Sequence, residues 1–138
     1  MVSLILGKEG KGKSRYLLEY SEKALNEANG NLIFLDRNSK QMYDLNRKIR
    51  LVDVSQYDVE SSQEFIGFIL GLISEDNDLE QILIDGFLDI ACLDQDQVGP
   101  TINRLSDISD KFNVKIVISI CMDDKLPEGL NADILATL

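Results

Sequence analysis

Residues 2–14 read Val2-Ser3-Leu4-Ile5-Leu6-Gly7-Lys8-Glu9-Gly10-Lys11-Gly12-Lys13-Ser14, and the reading of the fold turns on them. The apolar run from Val2 to Leu6 predicts a buried strand ending at glycine. Downstream, Leu17, Ser21, Ala24 or Leu25, and Ala28 fall on one face of a helix. Between strand and helix, Gly7 to Ser14 satisfies G-x-x-x-x-G-K-[ST] at every specified position. The physics of such a segment is anion capture. Glycines let the backbone wrap so that successive N–H groups face one point, and the helix adds its unpaired N-terminal donors and positive dipole end. A surface turn would match this pattern by accident on the order of once in a few hundred chains of this length, and the strand before and helix after lower that further.

Working outward, Gly30 stands where a helix C-cap belongs, and Asn31 to Asp36 (NLIFLD) predicts a second buried strand. From Arg37 to Arg50 the pattern stays open, because Met42, Tyr43 and Leu45 suit either a short helix or one arm of a hairpin. Ile49 to Val54 alternates as a strand does. Ser61-Ser62-Gln63-Glu64 then matches a helix capping box ahead of Phe65, Phe68, Ile69, Leu72 and Ile73. Gln81 to Asp85 (QILID) is a short apolar run closed by a carboxylate. Val98, Ile102, Leu105, Ile108 and Phe112 recur at helical spacing within 94–112, with Pro100 placed near the first turn, where proline is tolerated. Val114 to Ile120 and Asp133 to Leu138 complete the strands. Strands alternating with amphipathic helices predict an α/β fold, a three-layer αβα sandwich around a mostly parallel sheet with right-handed crossovers.

Composition bounds the function. The chain has 138 residues, the length of one domain, so 1–138 is expected to fold as a single unit. No apolar run approaches the length of a bilayer span and no signal-peptide pattern opens the chain, so membrane insertion and secretion are not expected. Cys92 and Cys121 lack a CxxC partner and histidine is absent, which removes a structural zinc site and fits a reducing, cytoplasmic setting. Both thiols are expected in core or half-buried positions. The net charge of -10, from 24 acidic against 14 basic residues, makes nucleic-acid binding unfavourable away from a local patch. Lys8, Lys11, Lys13 and Arg15 form one such patch; Arg47, Lys48 and Arg50 form a second, read as a solvated turn. Asp89, Asp94 and Asp96 are likewise read as a solvated loop.

Gly7–Ser14 and Gln81–Asp85 together resemble the Walker A and Walker B segments of P-loop NTPases, and the order of elements extends the resemblance over nearly the full chain. The GTP-selective members carry D-x-x-G and N-K-x-D, whereas the corresponding strands here end Asp85-Gly86-Phe87-Leu88 and Ile120-Cys121-Met122-Asp123. Nucleoside-monophosphate kinases need several lid arginines, and between Gly86 and Leu138 the chain has Arg104 alone. Thymidine-kinase-like proteins place Glu after the Walker B Asp and carry a zinc ribbon, where this chain has Gly86 and no histidine. The pattern is most similar to a minimal RecA-like ATPase core. Ser119 or Cys121 stands at the polar γ-phosphate sensor position, and Ala132-Asp133-Ile134-Leu135 is similar to its closing strand. The P-loop strand and helix also resemble those of twitching-motility retraction ATPases, but those motors carry a histidine box, so motility is not implied.

The resemblance implies ATP with magnesium as the ligand. Gly7, Lys8, Glu9, Gly10, Lys11, Gly12, Lys13, Ser14 and Arg15 would surround the phosphates, and Lys13 would place its charge at the β/γ positions. Ser14 and Asp85 would hold the metal. Lys13, Asp85 and Asp36 are the candidate catalytic residues; Asp36 reads either as the carboxylate that orients water or as a turn-former ahead of Arg37-Asn38-Ser39. Two functions stay open: slow ATP hydrolysis, with Arg37, Arg47, Arg50 or Arg104 available to a neighbouring subunit, or a nucleotide- or anion-binding switch that controls a protein partner.

Overall fold

The computed structural model describes residues 1–122 and 126–138; Asp123, the end of the strand compared above, lies outside them. The chain alternates strand and helix: β1 (Val2–Gly7), α1 (Lys13–Glu27), β2 (Asn31–Asp36), β3 (Arg50–Asp53) with a 3-10 turn over Val54–Tyr57, and α2 (Ser62–Glu75). There follow β4 (Leu79–Ile84), the one-turn α3 (Phe87–Ile90), α4 (Gln95–Phe112), β5 (Lys115–Cys121) and β6 (Asp133–Thr137). Among the described residues the sheet has six strands in the order β3-β2-β4-β5-β1-β6, every pair parallel.

Strands buried on both faces need apolar residues in both registers, and the sequence supplies them. Leu4 and Leu6 of β1, Ile33 and Leu35 of β2, and Ile116, Ile118 and Ile120 of β5 pack with α2, α3 and α4. The alternate residues Ile5, Leu32, Phe34, Leu83 and Val117 pack with Leu17 and Ala24 of α1. This is the three-layer sandwich. Leu45 and Ile49, from the segment that the pattern left open, complete the α1 side. That segment forms turns rather than a helix or a hairpin arm: Met42, Tyr43 and Asp44 are exposed, and Leu45 alone among them reaches the core. No helix among the described residues is long and apolar enough to cross a membrane.

Several expectations change in detail. Ser61 caps α2 as predicted, accepting from the Glu64 N–H at 3.1 Å, while the Glu64 carboxylate accepts from the Glu60 N–H at 2.9 Å. The helix α1 ends at Ala28 rather than at Gly30. Gly30 serves a different purpose: a Cβ there would lie 2.3 Å from the Asp78 carbonyl oxygen, on the turn that leads into β4. Pro100 lies in the second turn of α4, so its missing N–H removes an intrahelical bond instead of replacing an orphan donor. Asp89, Asp94 and Asp96 are exposed to solvent as expected, but they belong to helices and a helix cap rather than to a loop. Asp94 N-caps α4, with its N–H donating to Gln97 Oε1 at 3.1 Å, Asp96 sits in the first turn where the dipole favours it, and Asp89 lies on α3.

The glycines give a paired test. Gly30→Ala should cost about 2 kcal/mol or more, since its Cβ meets backbone that cannot move aside cheaply. Gly67→Ala, in the interior of α2 with nothing within 4 Å of the added atom, should stabilise by about 0.5–1 kcal/mol. Urea unfolding of the two variants checks both signs; a neutral Gly30→Ala would contradict the close approach.

Candidate functional site

In a parallel sheet all strands end on one edge, and ligands bind outside those carboxyl ends. Here the edge is occupied by the loop after β1, Asp36 closing β2, Asp85 just past β4, and Ser119 and Cys121 near the end of β5. Together they bound a cleft of about 1170 Å³, large enough for a nucleotide. A second cavity of about 540 Å³ lies along the flank of α1, beside Tyr16, Tyr20, Lys115 and Leu135, away from these strand ends.

The loop from Lys8 to Gly12 has the form that its glycines predict. Gly10 and Gly12 adopt φ of 81° and 87°, and a Cβ at either would meet nothing, so conformation and not space is what requires glycine. Gly12 is the N-cap of α1 and provides no side-chain acceptor for the first-turn N–H groups, which leaves them to an anion. Lys13 curls over the loop and donates to the Lys8 carbonyl at 2.7 Å. Glu9, Gly10, Gly12, Lys13, Ser14 and Arg15 line the cleft; Gly7, Lys8 and Lys11 are not among its walls. Gly7 is buried, with Leu138 packed within 3.3 Å of where its Cβ would be. Arg15 pairs with Glu19 at 3.4 Å in solvent, a contact of little energetic weight.

Asp85 is the hub. It is 6% exposed, and its Oδ1 accepts from Ser119 Oγ at 2.5 Å. Its Oδ2 accepts from Ser14 Oγ at 2.6 Å and from Gln41 Nε2 at 2.8 Å. Ser119 in turn accepts from the Gly86 N–H at 3.2 Å. The two motifs, far apart in the chain, therefore touch through the Ser14–Asp85 bond. Of the two sensor candidates, Ser119 engages the carboxylate; Cys121 lines the cleft.

Asp36 is 5% exposed and accepts from the Arg37 N–H at 2.7 Å and from Gln41 Nε2 at 2.9 Å. Burial, reinforced by the negative charge of Asp85, pushes its carboxyl up to about 6, against the opposing pull of the Arg37 N–H and Gln41. The structure thus brings Asp36 and Asp85 to one place. The residue that joins them, Gln41, carries no sequence signal: it falls in the segment without periodicity, five residues beyond Asp36, where no motif marks an amide. Arg37 donates to Asp89 Oδ2 at 2.6 Å on the rim, and Arg50 pairs with Glu75 at 2.9 Å, so both are engaged within the chain.

The cysteines correct an expectation, since both are exposed. Cys121 is the last residue of β5, past the point where helices cover the strand, and Cys92 follows α3 with φ of 55°, outside the packed layer.

A carboxyl raised from 3.8 to about 6 binds its proton more tightly in the folded chain, so its contribution to stability falls as pH rises through that window and stays low above it. Asp36→Asn removes the titrating charge; its single amide oxygen can accept from only one of the Arg37 N–H and Gln41 Nε2, which bond separate oxygens of Asp36, and that loss does not vary with pH. Urea curves in EDTA should show the variant gaining on the wild type by about 2 kcal/mol between pH 4 and pH 7. A pH-independent difference would refute a raised Asp36.

No protein-family model and no curated protein sequence matches this chain. Among solved structures, it is similar to a KaiC-like protein from the hyperthermophilic archaeon Pyrococcus horikoshii OT3, with a TM-score of 0.63 and 18% sequence identity. The likeness covers 92% of this chain and 63% of that one, so the chain spans less than two thirds of its neighbour. At this identity the comparison bears on architecture alone, and the shared architecture is an α/β sandwich around an all-parallel sheet.

Proposed function

We propose that residues 1–138 form one nucleotide-binding domain that takes ATP with magnesium and hydrolyses it slowly. The observation that carries this reading is the 2.6 Å bond between Ser14 and Asp85, which joins a glycine-shaped anion loop to a buried carboxylate at the mouth of a large cleft. The residues fit the metal. Hydroxyl and carboxylate oxygens are the hard donors magnesium prefers, few enough to leave places for water and phosphate. Beside them the buried Gln41 Oε1 has no donor, as expected of an acceptor that a hydrated ion could satisfy. When bound, magnesium would neutralise charge on the transferred phosphoryl oxygens.

The chain's own residues would do the rest. Lys13 would leave the Lys8 carbonyl for the β/γ-phosphates, and the N–H groups at the start of α1 would hold phosphate oxygens by hydrogen bonds and dipole. Asp36 would be the carboxylate that orients water, with the Arg37 N–H and Gln41 holding it in position. Weak turnover is expected because Gly86 rather than Glu follows Asp85 and because Arg37 is held by Asp89. The exposed, unpaired thiols suit a reducing cytoplasm.

One observation favours a second reading, a switch that binds nucleotide and controls a protein partner or a second copy. Asp36 is tied by both its oxygens, which opposes its service as a base. Phosphate release measured against bound nucleotide separates the two: binding with turnover no faster than in a Lys13 variant favours the switch.

Lys13→Ala should weaken ATP binding by a hundredfold or more, about 3 kcal/mol, as lost charge-assisted bonds to phosphate require. Calorimetry on a variant shown to be folded checks it, and wild-type affinity would falsify the site. Because the net charge is -10 and Lys13, the loop lysine that lines the cleft, would be taken up by phosphate, DNA and RNA should bind no tighter than roughly 10⁻⁶ M near physiological salt. Tighter binding with a steep salt slope in an anisotropy titration would overturn that expectation.

A further inference from the structure

One side chain, Gln41, ties the turns between β2 and β3 to both carboxylates of the cleft. Gln41 Nε2 bridges Asp36 Oδ2 and Asp85 Oδ2 at 2.9 and 2.8 Å, while Oε1 is buried without a donor. The orientation of the amide follows from its neighbours, because turned over it would set an oxygen against two carboxylates. Further along, the chain is anchored by the buried Leu45 and Ile49, and the Asp44 and Leu45 N–H groups bond the Gln41 carbonyl at 3.1 and 2.9 Å. The intervening Met42 and Tyr43 are 54% and 89% exposed. The Arg37–Asp89 pair, exposed on the rim, adds a weak second tie. Residues 38–44 therefore owe their seat over the site chiefly to Gln41.

Asp85 Oδ2 already accepts two hydrogen bonds, from Ser14 and Gln41. A serine hydroxyl can offer a lone pair to a cation and still donate its proton to the carboxylate. An amide N–H offers no lone pair, so it competes with the hydration shell of any cation for the same oxygen.

We propose that Gln41 is a positioning residue that couples residues 38–44 to the magnesium–nucleotide site: it yields Asp85 Oδ2 when that site is filled, and its Oε1 then accepts from a donor in the cleft. The proposal rests on the nucleotide reading above and gives it an output. Met42 and Tyr43 ride on the segment, so their exposed surface changes position with the state of the site.

Hydrogen exchange on the full chain tests the coupling, with nucleotide binding measured separately by calorimetry. A non-hydrolysable ATP analogue with magnesium, compared with the same analogue in EDTA, should change exchange across residues 38–45 by about threefold or more in the wild type. Gln41→Ala, compared at analogue concentrations that calorimetry shows to saturate it, should start with faster exchange there and show no magnesium response. A wild type that binds the analogue without any magnesium response in 38–45 overturns the coupling and leaves the nucleotide reading intact. A Gln41→Ala chain with the wild-type response overturns it as well. Failure of the wild type to bind the analogue sinks both readings.

Discussion

The carboxylate of Asp85 gathers the strand ends of this protein. Three side chains from separate parts of the chain donate to it: Ser14 at the start of α1, Ser119 on β5 and Gln41 from the turns after β2. Its own N–H donates to the Leu35 carbonyl on β2. A carboxylate this deeply buried is costly unless its oxygens are satisfied, so the arrangement holds only if all these elements arrive in register. The parallel ladder secures that, because every strand delivers its last residue to the same edge.

The sheet order matters for the same reason. Placing β5 between β1 and β4 sets the glycine loop after β1 one strand away from the strand that leads into Asp85, with Ser119 in the gap. A hydroxyl in that gap can meet the carboxylate and the Gly86 N–H at once. The two-sided burial of β1, β2, β4 and β5 fixes this spacing, since any slip by one residue would exchange the two apolar faces and turn the polar ends away.

The site is also where the fold accepts local cost. Three glycines, Gly10, Gly12 and Gly86, hold left-handed backbone, the N-terminus of α1 has no side-chain cap, and Asp36 is kept among charges and away from water. Each of these features is unfavourable in isolation and each leaves a polar group able to act on a ligand. Such concentration of cost at one edge, above a well-packed core, is the usual mark of a site retained for function rather than stability.

Local patterning is enough to specify the layers and the glycine loop at the start of α1. Continuous apolar runs such as NLIFLD and VKIVISI favour a strand buried on both faces, and the glycines between strand and helix permit the left-handed backbone found at Gly12, a specified position of G-x-x-x-x-G-K-[ST], and at Gly10, an unspecified one. These are local properties, written in period and backbone freedom. Only the tertiary structure decided which polar groups meet. Gln41 lies where no periodicity exists, and its role follows from the crossing of the turns over Asp36 and Asp85, a matter of chain path rather than composition. Gly30 likewise reads as a cap from its neighbours in sequence, yet it is needed because the backbone of Asp78, distant along the chain, passes against it. The exposure of Cys92 and Cys121 has the same origin: hydrophobicity places a thiol inside by default, and only the path of the chain leaves Cys121 at the open end of β5 and Cys92 in the connection between α3 and α4.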